Sequence, residues 1–469
     1  MNDPNGLIFW NGRYHMFYQC NPVSTAHSNI CWGHAASEDL LHWEDLPLAL
    51  TPSEGSPDED GCWSGCAVVS DGSVYLLYTG VQGQSPHHRQ RPCLARALDD
   101  GLVSFEKFAG NPVISEEPIP GLFGFRDHTV RRVNGEFRQL IGSGSAALGG
   151  CVLEYRSTDL VSWEYSGVFL AGKSAELPGV MWECPDFFQL GDRWFLVTSL
   201  FDHAPGRVMA VQGTFEGERF VPMASRRLDI GDRWYAPQSF DAPGDRRLSF
   251  GWLREREDEL PAEARGRVGV MSLPRQLIVG TDGSLGMAPA AELVGLRGTP
   301  LELAPEIGPH GALVLESAHP LTACEVEVTG GSASTVFVDL LDEHDRPVLR
   351  VCSNADDIGI GASLAPLRTS RVPLPGTVRI FYDGGICEVF NATGRVRSEI
   401  FYDRRPVRRV ATWGTPAEDS TGETRSLAAR AWEHDNIWDR GGLAEDSHDP
   451  VPGENGRQGR PLTIGPDQR

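Results

Sequence analysis

A hairpin signal recurs five times at nearly constant spacing, and this repeat constrains the fold more than any other feature of the sequence. The first copy is Asn11-Gly12, which separates two runs rich in β-forming residues. Asn-Gly or Asp-Gly between such runs is a strong signal for a β-hairpin. The glycines of the five turns are Gly12, Gly72, Gly135, Gly191 and Gly244, separated by 60, 63, 56 and 53 residues. More than half of the chain therefore consists of five similar β-rich units.

A second landmark follows the same period. Aromatic residues in segments with acidic neighbours lie near the end of the first four units, at Trp43, Phe105, Trp163 and Phe220. A TIM barrel of this size would need a long amphipathic helix after each strand, and the sequence lacks the corresponding periodicity. Five units of this length, rich in strands, predict a five-bladed β-propeller.

Changes in pattern divide the rest of the chain. The predicted fold is all-β, with a five-bladed β-propeller over residues 1–285 followed by a C-terminal β-sandwich over residues 301–435. Residues 286–300 are expected to form a linker with one short helix. Residues 436–469 are rich in Gly, Pro, Asp and Arg, and we predict that they are disordered.

Charge and composition limit the partners. The formal net charge of −22 disfavours nucleic acid and anionic membranes, because both bind positive surfaces. No apolar run approaches the roughly 20 residues of a membrane span, and no signal peptide is visible, so we predict a cytoplasmic protein that could form a homo-oligomer. The ten cysteines include no C-x-x-C pair and are expected to be buried free thiols. Without a metal-binding motif, neither metal nor cofactor is expected.

Three acids lie at or just before the predicted first strands of units one, three and four. In a propeller these strands line the central channel, so Asp3, Asp127 and Glu183 should converge there. Converging carboxylates repel each other unless a substrate uses them. A turn preference for Asp accounts for one such acid better than for three. Polar and aromatic residues accompany the acids: Asn2, Trp63, Arg126, Trp182, Tyr235 and Gln238. Paired carboxylates among sugar-binding side chains predict cleavage of glycosidic bonds.

Three segments resemble the signature motifs of glycoside hydrolase family 32. They are Asn2-Asp3-Pro4-Asn5-Gly6, Phe125-Arg126-Asp127 and Trp182-Glu183-Cys184-Pro185-Asp186-Phe187. Further similarities, in chain order, are Tyr18-Gln19, Trp32-Gly33-His34, Ser64-Gly65, Trp234-Tyr235-Ala236, Leu273-Pro274-Arg275 and Glu388-Val389-Phe390-Asn391. The family comprises β-fructofuranosidases such as invertase, sucrose-6-phosphate hydrolase, levanase, inulinase and fructanase. The resemblance implies a propeller followed by a sandwich, which the repeat and the later change in pattern predict independently.

The resemblance also implies roles for the acids in a retaining mechanism. Asp3 would be the nucleophile, Glu183 the acid/base, and Asp127 the residue that stabilises the transition state. Retaining carboxylates lie about 5–5.5 Å apart. The residues expected to contact the sugar are Asn2, Gln19, His27, Trp63, Ser64, Arg126, Tyr235 and Gln238.

The chain departs from the family pattern at several positions. His128 follows Asp127 where the family usually has proline, His27 stands where many relatives have tryptophan, and Cys20 replaces a commoner tyrosine or histidine. Relatives also have a further segment before the first motif. We therefore expect either that the natural chain starts upstream of the printed Met1 or that the natural chain is shortened.

The leading functional hypothesis is a retaining exo-β-fructosidase that acts on sucrose or short fructans. Sucrose-6-phosphate hydrolase is an alternative, since a loop with basic residues contains His87, His88, Arg89 and Arg91, although a solvated turn explains that loop more simply. Fructosyl transfer would use the same three acids. A non-catalytic fructan-binding protein is the alternative of another class, and the presence of all three acids argues against it.

Overall fold

The structure is a computed structural model of the 469-residue chain. The described residues are 1–83, 88–172, 177–201, 207–216, 219–255, 268–280, 282–306, 308, 311–330, 333–361, 374, 376–402, 404–416 and 427–434. The predicted disordered tail, residues 436–469, and His87 of the loop with basic residues lie outside these ranges.

Five antiparallel sheets follow one another along residues 4–289, here called the five-sheet domain. The first two sheets are β1 Pro4–Trp10, β2 Arg13–Cys20, β3 Cys31–Ser37 and β4 Trp43–Leu50, then β5 Gly61–Ser70, β6 Ser73–Gln82, β7 Arg89–Ala97 and β8 Phe105–Lys107. The next two are β9 Leu122–Val133, β10 Glu136–Ser145, β11 Gly149–Ser157 and β12 Glu164–Gly172, then β13 Met181–Leu190, β14 Arg193–Phe201, β15 Arg207–Glu216 and β16 Arg219–Arg227. The fifth is β17 Trp234–Ala242, β18 Arg246–Leu253, β19 Val270–Met271, β20 Arg275–Val279 and β21 Leu285–Pro289.

The first strands of the five sheets form a closed ring. Each of β1, β5, β9 and β13 contacts the first strand of the next sheet, and β17 contacts β1. The fourth strands are more exposed, as the mostly exposed β4 illustrates beside the buried start of β1. Residues at corresponding ends of the first strands therefore meet at the centre of the ring.

The predicted hairpins are confirmed. Asn11 and Gly12 both have positive φ, at 48° and 82°, and the turns at Asp71-Gly72 and Asn134-Gly135 repeat this geometry. Positive φ at both central residues is the type I′ turn, whose twist matches that of the paired strands. The aromatic landmarks also lie where expected, at the fourth strands: Trp43 and Phe105 begin β4 and β8.

Two six-stranded antiparallel sheets form the sandwich domain, residues 297–434. One has the order β22-β33-β25-β29-β30-β31 and the other β23-β24-β32-β26-β27-β28. Their bounds are β22 Arg297–Pro300, β23 Glu302–Leu303, β24 Leu313–Leu321, β25 Ala323–Thr329, β26 Ala333–Leu341, β27 Pro347–Ser353, β28 Ile358–Gly361, β29 Thr377–Asp383, β30 Ile386–Phe390, β31 Val396–Ile400, β32 Val407–Pro416 and β33 Ala428–His434. Val326 and Ile380 of one sheet share a buried core with Val338 and Val410 of the other.

Strand pairing corrects two predicted boundaries. The five-sheet domain ends at Pro289 rather than at 285, because Leu285–Pro289 pairs along β20 as the last strand of the fifth sheet. The sandwich begins at Arg297 rather than at 301, because Arg297–Pro300 pairs with β33. A 3₁₀ helix over Ala291–Leu296 lies between them. Within the described ranges, no helix has the length and apolar character needed to cross a membrane.

One buried arginine joins the two domains. Arg275 of β20 donates to Glu388 of β30 at 2.6 Å, to Asp229 at 2.8 Å and to Ser398 of β31 at 2.6 Å. Its guanidinium also lies over the ring of Trp234, 4.5 Å from the centroid. Arg275 is fully buried, and Asp229 and Glu388 are nearly so. The positive charge of Arg275 and the negative charges of Asp229 and Glu388 compensate each other only while all three side chains are present.

We therefore expect Arg275→Ala to destabilise the protein strongly. Removing one partner from a buried ion pair typically costs about 3–5 kcal/mol, because the remaining charges stay buried without compensation. Thermal unfolding followed by circular dichroism measures the change. Arg430→Ala is the control, since Arg430 is 70% exposed beside Glu327 and such pairs contribute at most about 1 kcal/mol. Equal shifts for the two variants would contradict the role of Arg275.

Candidate active site

Every first strand breaks its pairing at one corresponding point. The last pairs before the break are Asn5–Phe17, Trp63–Thr79, Arg126–Gly142, Glu183–Ser199 and Tyr235–Trp252. In four sheets the residue that follows the break has left-handed φ: Gly6 at 53°, Asp127 at 61°, Cys184 at 48° and Ala236 at 48°. A β-bulge of this kind turns side chains away from the regular alternation of a strand. The bulges therefore determine which side chains face the centre of the ring.

The three acids occupy three different positions relative to these bulges. Glu183 is the last paired residue of its strand, Asp127 is the first residue of its bulge, and Asp3 lies two residues before Asn5. The acids converge as predicted. Their positions relative to the bulges are not equivalent, and the spacing of turns along the chain does not reveal this because it does not specify the pairing register.

Asp3 is held by a cluster of polar side chains. Ser64 donates its hydroxyl to Asp3 Oδ2 at 2.7 Å, Asn2 donates to Oδ1 at 3.2 Å, and Gln19 donates to Oδ2 at 3.4 Å. Gln19 also donates to the hydroxyl of Ser64 and accepts from Asn2. The backbone amide of Gln19 donates to the Asp3 carbonyl at 3.0 Å, which continues the β1–β2 pairing to this residue. The carboxylate is therefore fixed in orientation.

Burial raises the pKa of both aspartates. Asp127 is 5% exposed, and burial together with the charges of Glu183 and Asp3 raises its pKa to about 8, against the opposing effect of Arg126. Burial is also the main cause of the raised pKa of Asp3, and the charge of Glu183 adds to it. Hydrogen bonds from Ser64 and Asn2 oppose that shift. Each aspartate thus experiences the charge of Glu183, so the three acids form one electrostatic unit.

The absence of a side-chain hydroxyl at Gly142 leaves the Cys184 amide to donate to the Asp127 carboxylate. The bulge amide of Asp127 donates to the Thr79 hydroxyl at 3.0 Å, and that of Ala236 donates to the Ser199 hydroxyl at 3.0 Å. Gly142 holds the corresponding position in the third sheet, where a Cβ would come within 2.5 Å of the Trp182 carbonyl. The amide of Cys184 donates instead to Asp127 Oδ2 at 3.4 Å.

Glu183 lies between Arg126 and Tyr235, which are the last paired residues before the break in the first strands of the neighbouring sheets. Arg126 donates to Oε1 through Nη2 at 2.6 Å and through Nε at 3.2 Å. Tyr235 donates its hydroxyl to Oε2 at 2.5 Å. The Glu183 side chain is 14% exposed, so the carboxyl group remains accessible from the mouth of the site.

Aromatic and imidazole rings lie at the mouth. The Arg126 guanidinium lies 6.0 Å from the centroid of the Trp63 ring. The rings of exposed His27 and half-buried His88 contact Trp63 edge-on, at 5.2 Å and 5.1 Å between centroids. A flat aromatic surface beside hydrogen-bonding groups suits the apolar face of a sugar.

Gln238 has a different environment from the one predicted. Its amide donates to the carbonyl of Gly65. This bond joins β17 and β5, first strands that are not neighbours in the ring, and Gln238 is buried. The buried side chain of Gln238 therefore spans the centre of the ring between β17 and β5.

The structure adds two residues that sequence reasoning missed. Cys184 places its thiol 3.8 Å from Asp3 Oδ2, and Gln90 accepts hydrogen bonds from Arg126 Nη1 at 3.2 Å and from the Phe125 amide at 3.0 Å. Cys184 lies in the third signature motif, between Glu183 and Pro185, so the sequence contained a signal for this residue. Gln90 lies on β7, the third strand of the second sheet, outside any motif.

In the described part of the chain, no three His, Cys, Asp or Glu side chains are arranged to hold a metal ion.

Comparison with known proteins gives this geometry a family. Residues 1–289 match the model of the glycosyl hydrolases family 32 N-terminal domain. The chain belongs to glycoside hydrolase family 32. A family 32 β-fructofuranosidase from Bombyx mori is a structural relative, with 26% identity and a TM-score of 0.76 over 92% of this chain and 91% of that one. Family 32 structures combine a β-propeller with a β-sandwich, in agreement with the all-β fold described above.

Curated members of family 32 are also similar in sequence. A sucrose-6-phosphate hydrolase from Escherichia coli is 35% identical over 456 residues, 88% of this chain and 89% of that protein. A sucrose-6-phosphate hydrolase from Zymomonas mobilis is 36% identical over 324 residues, 63% of this chain. The match spans 61% of the length of the Zymomonas mobilis protein.

The raised pKa of Asp127 predicts a pH-dependent stability. Its folded-state pKa of about 8 exceeds the value of about 3.9 in an unfolded chain. Between these values the folded state keeps a proton that the unfolded state loses, so this contribution to stability decreases as pH rises from about 4 to about 8. Asp127→Asn cannot ionise, so its unfolding temperature should rise relative to wild type over that range. Asp192→Asn, at a 91% exposed side chain, is the control. Parallel curves for wild type and Asp127→Asn would contradict the assignment.

Proposed function

We propose that this family 32 member is a retaining exo-β-fructosidase that hydrolyses terminal β-D-fructofuranosyl residues of sucrose or short fructans. The observation that carries the proposal is the arrangement of two separately held carboxylates. Asp3 is fixed by Ser64 and Asn2, whereas Glu183 is held by Arg126 and Tyr235. One carboxylate is thus oriented for attack, and the other is available to transfer a proton.

The five sheets act in this proposal as the blades of a five-bladed β-propeller. The closed ring of first strands supports that interpretation. The hydrogen bond from Gln238 to Gly65 spans the centre of the ring between β17 and β5.

In the first step, an oxygen of the Asp3 carboxylate attacks the anomeric carbon of the fructosyl unit. The bond from that carbon to the glycosidic oxygen breaks, and the proton of Glu183 passes to the departing oxygen. The products are a fructosyl ester of Asp3, an alcohol such as glucose, and Glu183 as its carboxylate.

In the second step, Glu183 takes a proton from water as the water oxygen attacks the same carbon. The ester bond to Asp3 breaks, which restores the Asp3 carboxylate and the Glu183 carboxyl group. Two inversions at one carbon give overall retention. Asp127, whose Oδ2 faces Arg126 and the Cys184 amide, would bind fructose hydroxyls and thereby stabilise the transition state.

A cytoplasmic location forms part of the proposal. All ten cysteines are free, and nine of them are buried. Free thiols are usual in reducing compartments. A neutral sugar substrate suits a chain with a formal net charge of −22.

Sucrose 6-phosphate is a second candidate substrate. Two similar curated proteins carry the name sucrose-6-phosphate hydrolase. His88 lies against Trp63 at the mouth, and Arg89 and Arg91 follow it on β7. Burial and the charge of Arg126 lower the pKa of His88, so a phosphate group would depend on the arginines for charge.

Replacing the proposed acid/base should affect substrates according to their leaving groups. Glu183→Gln should lower kcat on sucrose by about 10²–10⁴-fold, because the departing oxygen needs a proton. With a nitrophenyl β-fructofuranoside, whose leaving group needs none, the variant should release a rapid burst of nitrophenol and then hydrolyse the ester slowly. Stopped-flow absorbance measures both phases. Glu44→Gln, at a 64% exposed side chain, is the control. An equal loss on both substrates would contradict the acid/base role.

A substrate panel distinguishes the candidate functions. Wild type should release fructose and the other product in equal amounts from sucrose, with activity also on inulin or levan. If sucrose 6-phosphate is preferred, Arg89→Ala should raise its KM by about tenfold and leave that of sucrose unchanged. Arg96→Ala, further along β7, is the control. Less free fructose than glucose would indicate fructosyl transfer. Binding without turnover on every substrate would favour the non-catalytic alternative.

A further inference from the structure

A buried chain of hydrogen bonds runs behind two of the acids and ends at His128. The hydroxyl of Thr79 lies 2.8 Å from the carbonyl of Ser64, 3.0 Å from the amide of Asp127 and 3.2 Å from His128 Nε2. Thr79 and His128 are fully buried, and Ser64 is 1% exposed. These contacts connect β6 of the second sheet with the bulge of β9 in the third.

The chemistry of the Thr79 hydroxyl determines the direction of these bonds. A hydroxyl has one proton, and the Ser64 carbonyl can only accept. The Thr79 proton is therefore donated to Ser64, and its oxygen accepts from both Asp127 N–H and His128 Nε2–H. This direction assigns the His128 ring proton to Nε2. Burial lowers the pKa of His128 to about 4, so the ring stays neutral at ordinary pH.

His128 occupies a position at which two other sheets have proline. The bulges of the fourth and fifth sheets are Cys184-Pro185 and Ala236-Pro237, with left-handed first residues. The third sheet has Asp127-His128 at the same place. Proline limits its own backbone through the ring. The histidine leaves the backbone free and contributes a ring hydrogen bond instead.

Asp127 needs support in this bulge. Left-handed φ is costly for a residue with a side chain, and the bulge removes its amide from the β9–β10 pairing. Thr79 accepts that amide, so the position of the Thr79 hydroxyl determines the aim of the Asp127 carboxylate. Through the Ser64 carbonyl, Thr79 also contacts the residue whose hydroxyl donates to Asp3.

We propose that His128 is a positioning residue, which orients Thr79 and through it the Asp127 carboxylate for the transition state. The proposal rests on the proposed fructosidase function. It assigns no chemical step to His128 itself, because the ring contacts Thr79 and not the acids.

Two amide substitutions test the position of the donor. The amide nitrogen of His128→Gln can reach the place of Nε2, whereas that of His128→Asn reaches only the place of Nδ1, which has no partner among the described residues. We expect His128→Asn to lower kcat on sucrose by about five- to tenfold with little change in KM, as the loss of one buried hydrogen bond implies. His128→Gln should recover most of kcat. The concentration of active sites is measured by titration with an inhibitor that transfers a fructosyl group to the enzyme, and kcat is expressed per active site. A smaller folded fraction therefore does not lower the measured kcat.

A double-mutant cycle tests the path through the hydroxyl. Thr79→Val removes the hydroxyl at almost constant shape, and Thr79→Ser keeps it. His128→Asn should have little further effect on kcat in the Thr79→Val background and its full effect beside Thr79→Ser. Additive losses, or a His128→Gln enzyme no better than His128→Asn, would overturn the proposal. If His128→Asn fails to fold, the Thr79→Val and Thr79→Ser pair decides, since the first should lower kcat and the second should not.

A second readout separates this proposal from the proposed function. Carbon-13 NMR of aspartate-labelled protein, assigned with Asp127→Asn, gives the titration of the Asp127 carboxyl group without any turnover. His128→Asn should shift that titration, and His128→Gln should restore it. An inactive wild type with this pattern would refute the fructosidase and support the positioning role. An active wild type whose Asp127 titration is identical in both variants would refute the positioning role alone.

Discussion

The contact between β17 and β1 closes the ring of first strands, and the site depends on that closure. Asp3, Asp127 and Glu183 belong to the first, third and fourth sheets. No hairpin brings two of them together. Packing around the ring does so, because each first strand presents the same end to the centre. Arg275 supports this closure from behind, since it contacts Trp234 of β17 and anchors the fifth sheet to the sandwich domain.

Bringing three acids together opposes folding, and the surrounding residues offset part of that cost. Arg126 contributes the positive charge to Glu183 and Asp127, whereas Asp3 is stabilised by hydrogen bonds from neutral side chains. The aspartate pKa values remain raised because burial outweighs these contacts. A substrate that replaces water among these groups would use an arrangement that the folded protein maintains at a loss of stability.

Small departures from the repeat make the centre of the ring asymmetric. Gly142 lacks the hydroxyl that Thr79 and Ser199 supply, and the Cys184 amide therefore bonds to the carboxylate of Asp127. His128 stands where the bulges of the fourth and fifth sheets have proline, and it makes a side-chain hydrogen bond to Thr79. A symmetrical repeat would present one environment five times. Catalysis by two carboxylates in different roles needs at least two environments.

The sequence by itself determined the five hairpins, the period of the repeat and the all-β class, because turn residues and strand alternation act over a few neighbouring positions. Only the tertiary structure decided how the three acids are held. The domain boundaries moved by four residues because strand pairing, rather than composition, ends a sheet. The bulge register arises from strand pairing within each sheet. The hydrogen bonds of Arg126 and Tyr235 to Glu183, and that of Gln238 to Gly65, arise from contacts between sheets. Such contacts join residues more than 50 positions apart, and their geometry depends on strands that no local pattern specifies.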